Sequence, residues 1–127
     1  MTDSAASRPE RVAYKVLSAE QLAAWRREGV FRGSPADFAD GYIHLSLASQ
    51  LPGTLDKHYS GQDDLVLAAI DLVRLGEALR WEKARGDERF PHVYGAISTD
   101  AVIATAPVER TADGGVRLPD QAARAAA

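Results

Sequence analysis

The sequence predicts a single-domain α+β protein. Three observations carry that prediction. The 127 residues contain two segments with clear helix-boundary signals. One nearly continuous apolar run, residues 65–72, has the length of a buried strand. Several short alternating segments surround these, in the order β-α-β-α-β-β-β-β, with too few crossover helices for a doubly wound parallel sheet.

Residues 12–17 read as a first strand. Ser18 then opens a helix: its hydroxyl can cap, Gln21 completes a capping box, and Leu17 with Leu22 forms a hydrophobic staple. Leu22 and Trp25 share one helical face, and Gly29 is placed to end the helix in a left-handed conformation. Residues 32–41 read as a polar loop closing on the turn dipeptide Asp40-Gly41. In the strand expected at 42–46, period-two alternation puts Ile43 and Leu45 on one face and Tyr42, His44 and Ser46 on the other. A second helix follows, with Pro52 in its first turn and a stripe of Leu51, Leu55 and Tyr59.

Residues 65–72 are expected at the middle of the sheet, buried on both faces. Residues 79–82 read as a short strand with Trp81 facing one way and Glu82 the other. The segment Phe90-Pro91-His92-Val93-Tyr94-Gly95, bracketed by Pro and Gly, reads as an ordered, compact segment that is not a regular strand or helix throughout. Residues 101–106 form another strand, and Pro107 places its end at an edge. Asp113-Gly114-Gly115 is a turn leading to a last short strand near 116–118. The domain is expected over residues 11–119, with loose termini at 1–10 and 120–127.

Composition excludes several classes. Apolar residues make up 46% and charged ones 26%, the balance of a globular protein. Net charge is −3 with no basic stripe, which argues against a nucleic-acid partner. No apolar run approaches the ~20 residues of a membrane span, and residues 1–10 lack the apolar stretch of a signal peptide, so a cytoplasmic protein is expected. With no cysteine there is neither a disulfide framework nor a thiolate nucleophile. No phosphate-binding glycine loop or nucleophile elbow is present. The histidines are 14 and 34 residues apart with no His-x-x-x-His pair, so no metal site is expected.

What remains are three histidines in aromatic and polar surroundings. Tyr42, His44 and Ser46 are either a solvated strand face or one wall of a cleft. Either Phe90 and Tyr94 plug the core from a tight turn while His92 caps a backbone carbonyl, or His92 and Tyr94 line a pocket wall. Glu82 either serves as a general base or pairs with Arg80 or Arg89 at the surface. His58, at a helix end, is expected to offset the helix dipole. One drug-sized ligand touching both His44 and His92 would require them within about 10 Å of each other.

Two motifs, Gly41-Tyr42-Ile43-His44-Leu45-Ser46 and Phe90-Pro91-His92-Val93-Tyr94-Gly95, make the chain resemble DUF952, a family of small bacterial proteins of unknown function. Tyr14-Lys15, Trp25, Gly29, Gln50, Leu65-Val66-Leu67 and Trp81-Glu82 extend the likeness over about residues 12–109. A more distant likeness joins Tyr14, Trp25, Gly29-Val30 and Tyr42-Ile43-His44-Leu45 to RNA 2′-phosphotransferases and other ADP-ribosyltransferase-like proteins. That resemblance implies a curved, split sheet with two main helices, gripping NAD or a related nucleotide in its cleft. Lys15-Val16-Leu17 stands where those proteins carry His-Gly-Thr, which removes the polar ligand contact that strand would supply.

The combined expectation is a small-molecule cleft lined by Tyr14, Tyr42, His44, Ser46, Glu82, His92 and Tyr94. In an enzymatic version, His44 and Tyr94 position the ligand, Glu82 stabilises positive charge on a ribose-like carbon, and His92 carries a proton. The alternative is a non-catalytic ligand-binding or protein-interaction module whose histidines are structural. Cofactor identity and oligomeric state are not written in these residues.

Overall fold

The computed structural model describes residues 11–84 and 86–119; the expected loose termini lie outside the described residues. Strand β1 (Val12–Ser18) runs into helix α1 (Ala19–Glu28), followed by β2 (Val30–Phe31) and the short helix α2 (Pro35–Asp40). Strand β3 (Ile43–His44) leads through a 3₁₀ turn (Ala48–Gln50) into α3 (Leu51–His58). Then come β4 (Leu65–Asp71), a 3₁₀ segment (Leu72–Ala78), β5 (Leu79–Lys83), β6 (Arg89–Val93), β7 (Ile97–Ser98), a third 3₁₀ turn (Thr99–Ala101) and β8 (Val102–Pro107).

The strands form three antiparallel sheets: β1-β4-β8, β3-β6-β5 and the two-stranded β2-β7. The apolar run is indeed the central strand of the first sheet. Alternation along it serves two cores. Ala68 and Ile70 join Ala13, Leu17, Leu22 and Trp25 on one side, while Leu67 and Ala69 pack with Tyr14, Val16, Leu51 and Leu55 on the other. Pro107 ends the edge strand β8, where its missing N–H leaves no partner unmet.

Local signals explain the helices. Ser18 and Gln21 form the capping box, Leu17 and Leu22 are both buried, and Gly29 closes α1 at φ 81°. Trp25 stacks on Phe31 with ring centroids 4.9 Å apart. The α3 stripe is as expected, with Leu51 and Leu55 buried and Tyr59 packed against their cluster.

Two local readings are corrected. Residues 32–41 are not a plain loop, because Ser34 caps a helix with Asp37 as its reciprocal partner, Pro35 at its start and Gly41 at φ 91° at its end. The segment Arg89–Val93 is a strand, and a central one. Pro91 is tolerated there because a residue's N–H and C=O face the same neighbour in an antiparallel ladder, and those of Pro91 face β3. Leu45 still donates to the Pro91 carbonyl (3.0 Å), but no return bond is possible, and the β3 ladder stops at His44. The strand expected over 42–46 is therefore shorter than its composition suggests.

Past that point, Ser46 pairs with Tyr14 through two backbone hydrogen bonds of 2.7 and 2.9 Å. This pair joins the edge of β1 to the sheet carrying β3.

Candidate functional site

A cleft of about 740 Å³ opens beside this joint. Strand β1 supplies Tyr14 and Lys15, the β3 region supplies Tyr42, His44 and Ser46, α2 supplies Asp37 and Asp40, and α3 supplies Thr54, Lys57 and His58. Its size lies within the ordinary range for small-molecule sites.

Asp37 is the anchor. Its carboxylate, 2% exposed, accepts from Lys15 Nζ (2.9 and 3.1 Å to its two oxygens), the Ser34 amide (2.8 Å), the His44 amide (3.2 Å) and His44 Nδ1 (2.6 Å). Burial alone would raise its pKa. The His44 hydrogen bond, the Lys15 charge and the Ser34 amide outweigh burial and hold the group well below the usual carboxylate range. Lys15 is equally enclosed and also donates to the His44 carbonyl at 3.1 Å. Its burial pushes the ammonium pKa down, against the opposing pull of Asp37.

These contacts fix His44. With Nδ1 on Asp37, the ring turns Nε2 toward Asp40, whose Oδ2 lies 2.8 Å away. Ionised carboxylates only accept, so in either contact it is the ring nitrogen that donates. The side chain is 37% exposed, enough to meet a ligand. A histidine whose ring is oriented by a carboxylate is suited to proton transfer or to holding an anion.

A second cluster lies across Tyr42. Strand register sets His44 opposite His92, and His92 opposite Arg80. The His44 and His92 ring centroids are 5.6 Å apart, inside the distance a shared site requires. They are nevertheless not equivalent. Tyr42 stacks on His92 at 4.1 Å and 23°, and His92 is only 2% exposed. Its Nδ1 faces Glu82 Oε1 at 2.7 Å, and the Tyr94 hydroxyl donates to both Glu82 oxygens at 2.9 and 3.1 Å. The hydrogen bonds from His92 and Tyr94 lower the Glu82 pKa, and the bond to Glu82 raises that of Tyr94. Tyr42 is shifted upward by burial and then by the Asp40 and Glu82 charges.

The expected seven-residue cleft thus divides. Tyr14, Tyr42, His44 and Ser46 line it, whereas Glu82, His92 and Tyr94 do not. The side chains of Glu82, His92 and Tyr94 are spent on one another, and Tyr42 lies over His92. Tyr94 does not plug the core; it is 40% exposed with Arg80 stacked over its ring at 4.9 Å. Ser46 is buried and shares a 2.9 Å hydrogen bond with Thr54. His58, expected to answer only the helix dipole, also borders the cleft.

Three residues escaped the sequence reading: Lys15, Asp37 and Asp40. Lys15 acts as a buried support, since its ammonium holds the carboxylate that orients His44. The signal was present, because a lysine between Ala13 and Leu17 on an inward strand face demands a buried counter-charge.

The family model described as "Protein of unknown function (DUF952)" matches residues 16–105. This chain belongs to the DUF952 family. Within it, the chain is similar to protein CC0527 from Caulobacter crescentus. The crystal structure of that protein is 42% identical, with a TM-score of 0.76 over 84% of this chain and 94% of that one. Its solution NMR structure is 41% identical, with a TM-score of 0.70 over 89% and 95%. No curated protein matches. Two segments that carry the resemblance acquire physical roles here. The Ile-His-Leu-Ser run carries His44 and the Ser46 joint. Gln50 ties α3 to β6 by donating to the Arg89 carbonyl at 2.8 Å.

Among the described residues no group of three or more His, Cys, Asp or Glu is arranged to hold a metal ion, and no helix is long and apolar enough to cross a membrane.

Proposed function

We propose that the protein binds a nucleotide-sized polar small molecule in the cleft between β1, β3 and α3, with His44 as the side chain that meets it. One observation carries this reading. A part-exposed imidazole is held on the wall of a cleft of about 740 Å³ by a buried carboxylate, itself held by a buried ammonium. Burying Lys15 with Asp37 costs desolvation that an apolar pair would avoid, and orienting His44 gives that cost a purpose.

The NAD-related version follows from the resemblance to ADP-ribosyltransferase-like proteins, which implies a nucleotide held in a cleft beside a curved, split sheet. Here the cleft opens where Tyr14 and Ser46 join the β1 and β3 sheets. Turnover of that kind needs Glu82 at the ligand. Both Glu82 oxygens face His92 and Tyr94, so the transferase version further requires Tyr42 to swing aside. The buried, stacked state of His92 favours a second reading, in which the cleft binds without chemistry and His92 is structural. A cytoplasmic setting belongs to the same proposal.

A thermal-shift and calorimetric series with NAD, ADP-ribose, adenosine and pyrophosphate tests the binding reading. Stabilisation by at least one of these that is lost in His44→Ala is expected. Absence of any shift at millimolar concentration would overturn it. Glu82→Gln then separates the versions, because an enzyme loses turnover while keeping ligand, whereas a binder keeps its ligand and has no turnover to lose.

A further inference from the structure

Asp40 occupies the position on His44 that a ligand would need. Asp37 fixes Nδ1, so Nε2 is the ring nitrogen aimed outward, and it lies 2.8 Å from Asp40 Oδ2, a contact in which the carboxylate can only accept. Asp40 is the last residue of α2, its side chain is 53% exposed, and His44 is its only hydrogen-bond partner among the described residues. An exposed pair of this kind contributes little, so the carboxylate can leave for water at small cost. The contrast with Asp37 is sharp, because Asp37 is buried and held from four directions.

A second observation is independent of that contact. The chain as a whole carries −3, yet the cleft wall gathers Lys15, Lys57, Lys83, His44 and His58 against only Asp37 and Asp40. Lys15 and Asp37 cancel each other. Asp40 is then the acidic lining residue not already paired with Lys15, and of the other cations Lys83 also has Asp87 at 3.8 Å.

Resting on the cleft reading above, we infer that the ligand carries a phosphate or carboxylate group which displaces Asp40 from His44 Nε2. Asp40 is an internal stand-in for that anion. Its carboxylate competes for the same N–H and repels the incoming charge until it swings away. Lys57 and Lys83 supply the field that favours the exchange.

Calorimetry with pyrophosphate, ADP-ribose and adenosine on the full chain tests this. The proteins are wild type, Asp40→Asn, Asp40→Ser, His44→Asn and, as a charge control, Asp56→Asn. Asp56 is exposed on α3, pairs with Arg110 and does not border the cleft. Removing Asp40 should tighten pyrophosphate and ADP-ribose by roughly three- to tenfold, the size of an exposed ion pair plus one repelled charge. Adenosine affinity should not change, and His44→Asn should abolish the gain. Addition of pyrophosphate to wild type should also move the His44 Nε2 resonance in ¹⁵N NMR. Equal or weaker anion binding by both Asp40 variants overturns the inference, as does the same gain in Asp56→Asn. If adenosine binds and anions do not, the cleft reading stands and this inference falls. If none of the three binds, both fall.

Discussion

Lys15 Nζ lies 2.9 Å from Asp37 Oδ2, with both side chains at most 3% exposed, in an ion pair that joins the first strand to a helix 22 residues later. The orientation of His44 depends on that contact, because Asp37 also accepts a hydrogen bond from His44 Nδ1.

Asp37→Asn should therefore be costly. It leaves the Lys15 ammonium buried without its counter-charge, and losing one partner of such a pair destabilises by about 3–5 kcal/mol. Urea unfolding measures this. A loss below ~1 kcal/mol would mean that Lys15 finds water or another partner on its own.

The same pair sets the acid limb. The folded pKa of Asp37 is held below its unfolded value of ~3.9, so the unfolded chain binds more protons as pH drops below that value. The Asp37 contribution is full above about pH 4 and is lost as pH falls through the folded pKa. Stability measured from pH 6 to 2 should fall steeply below about pH 4, and Asp37→Asn should flatten that limb. An unchanged acid limb in the variant would assign acid unfolding to other carboxylates.

Tyr42 divides the cleft from the Glu82–His92–Tyr94 cluster, stacking on His92 at 4.1 Å. A double-mutant cycle with Tyr42→Ala and His92→Ala should give a coupling of about 0.5–1.5 kcal/mol, the range for stacked rings beyond area burial. Zero coupling would remove the stack as a structural element.

Helix α2 positions both carboxylates that meet His44, and its capping box holds that helix. Ser34→Ala should cost about 1 kcal/mol of stability, and Gly41→Ala a similar amount because Gly41 sits at φ 91°. Both should also weaken binding in the cleft, since Asp37 loses its fixed place. Variants that are destabilised but bind normally would separate the helix from the site.

Much of this was legible in the residues. The capping box at Ser18 and the Gly29 terminus are local chemistry and can be read without a fold. The central position of β4 followed from its apolar run, and the outward face of Tyr42 and His44 from alternation. The same local logic at Ser34, Pro35 and Gly41 marked α2, but the polar composition of residues 32–41 obscured it. Pro91 argued against a strand because local rules cannot say which neighbour a missing N–H would have faced.

By itself, then, the sequence determined the α+β class, the two main helices, the central strand and the shared face of Tyr42 and His44, since short-range periodicity and capping encode all of them. Only the tertiary structure decided which side chains meet. Lys15 and Asp37 are brought together by sheet and helix packing, and register sets His44 against His92. Tyr42, stacked on His92, then decides that one histidine faces the cleft while the other is buried with Glu82. Such pairings depend on long-range register and desolvation, which no window of neighbouring residues contains.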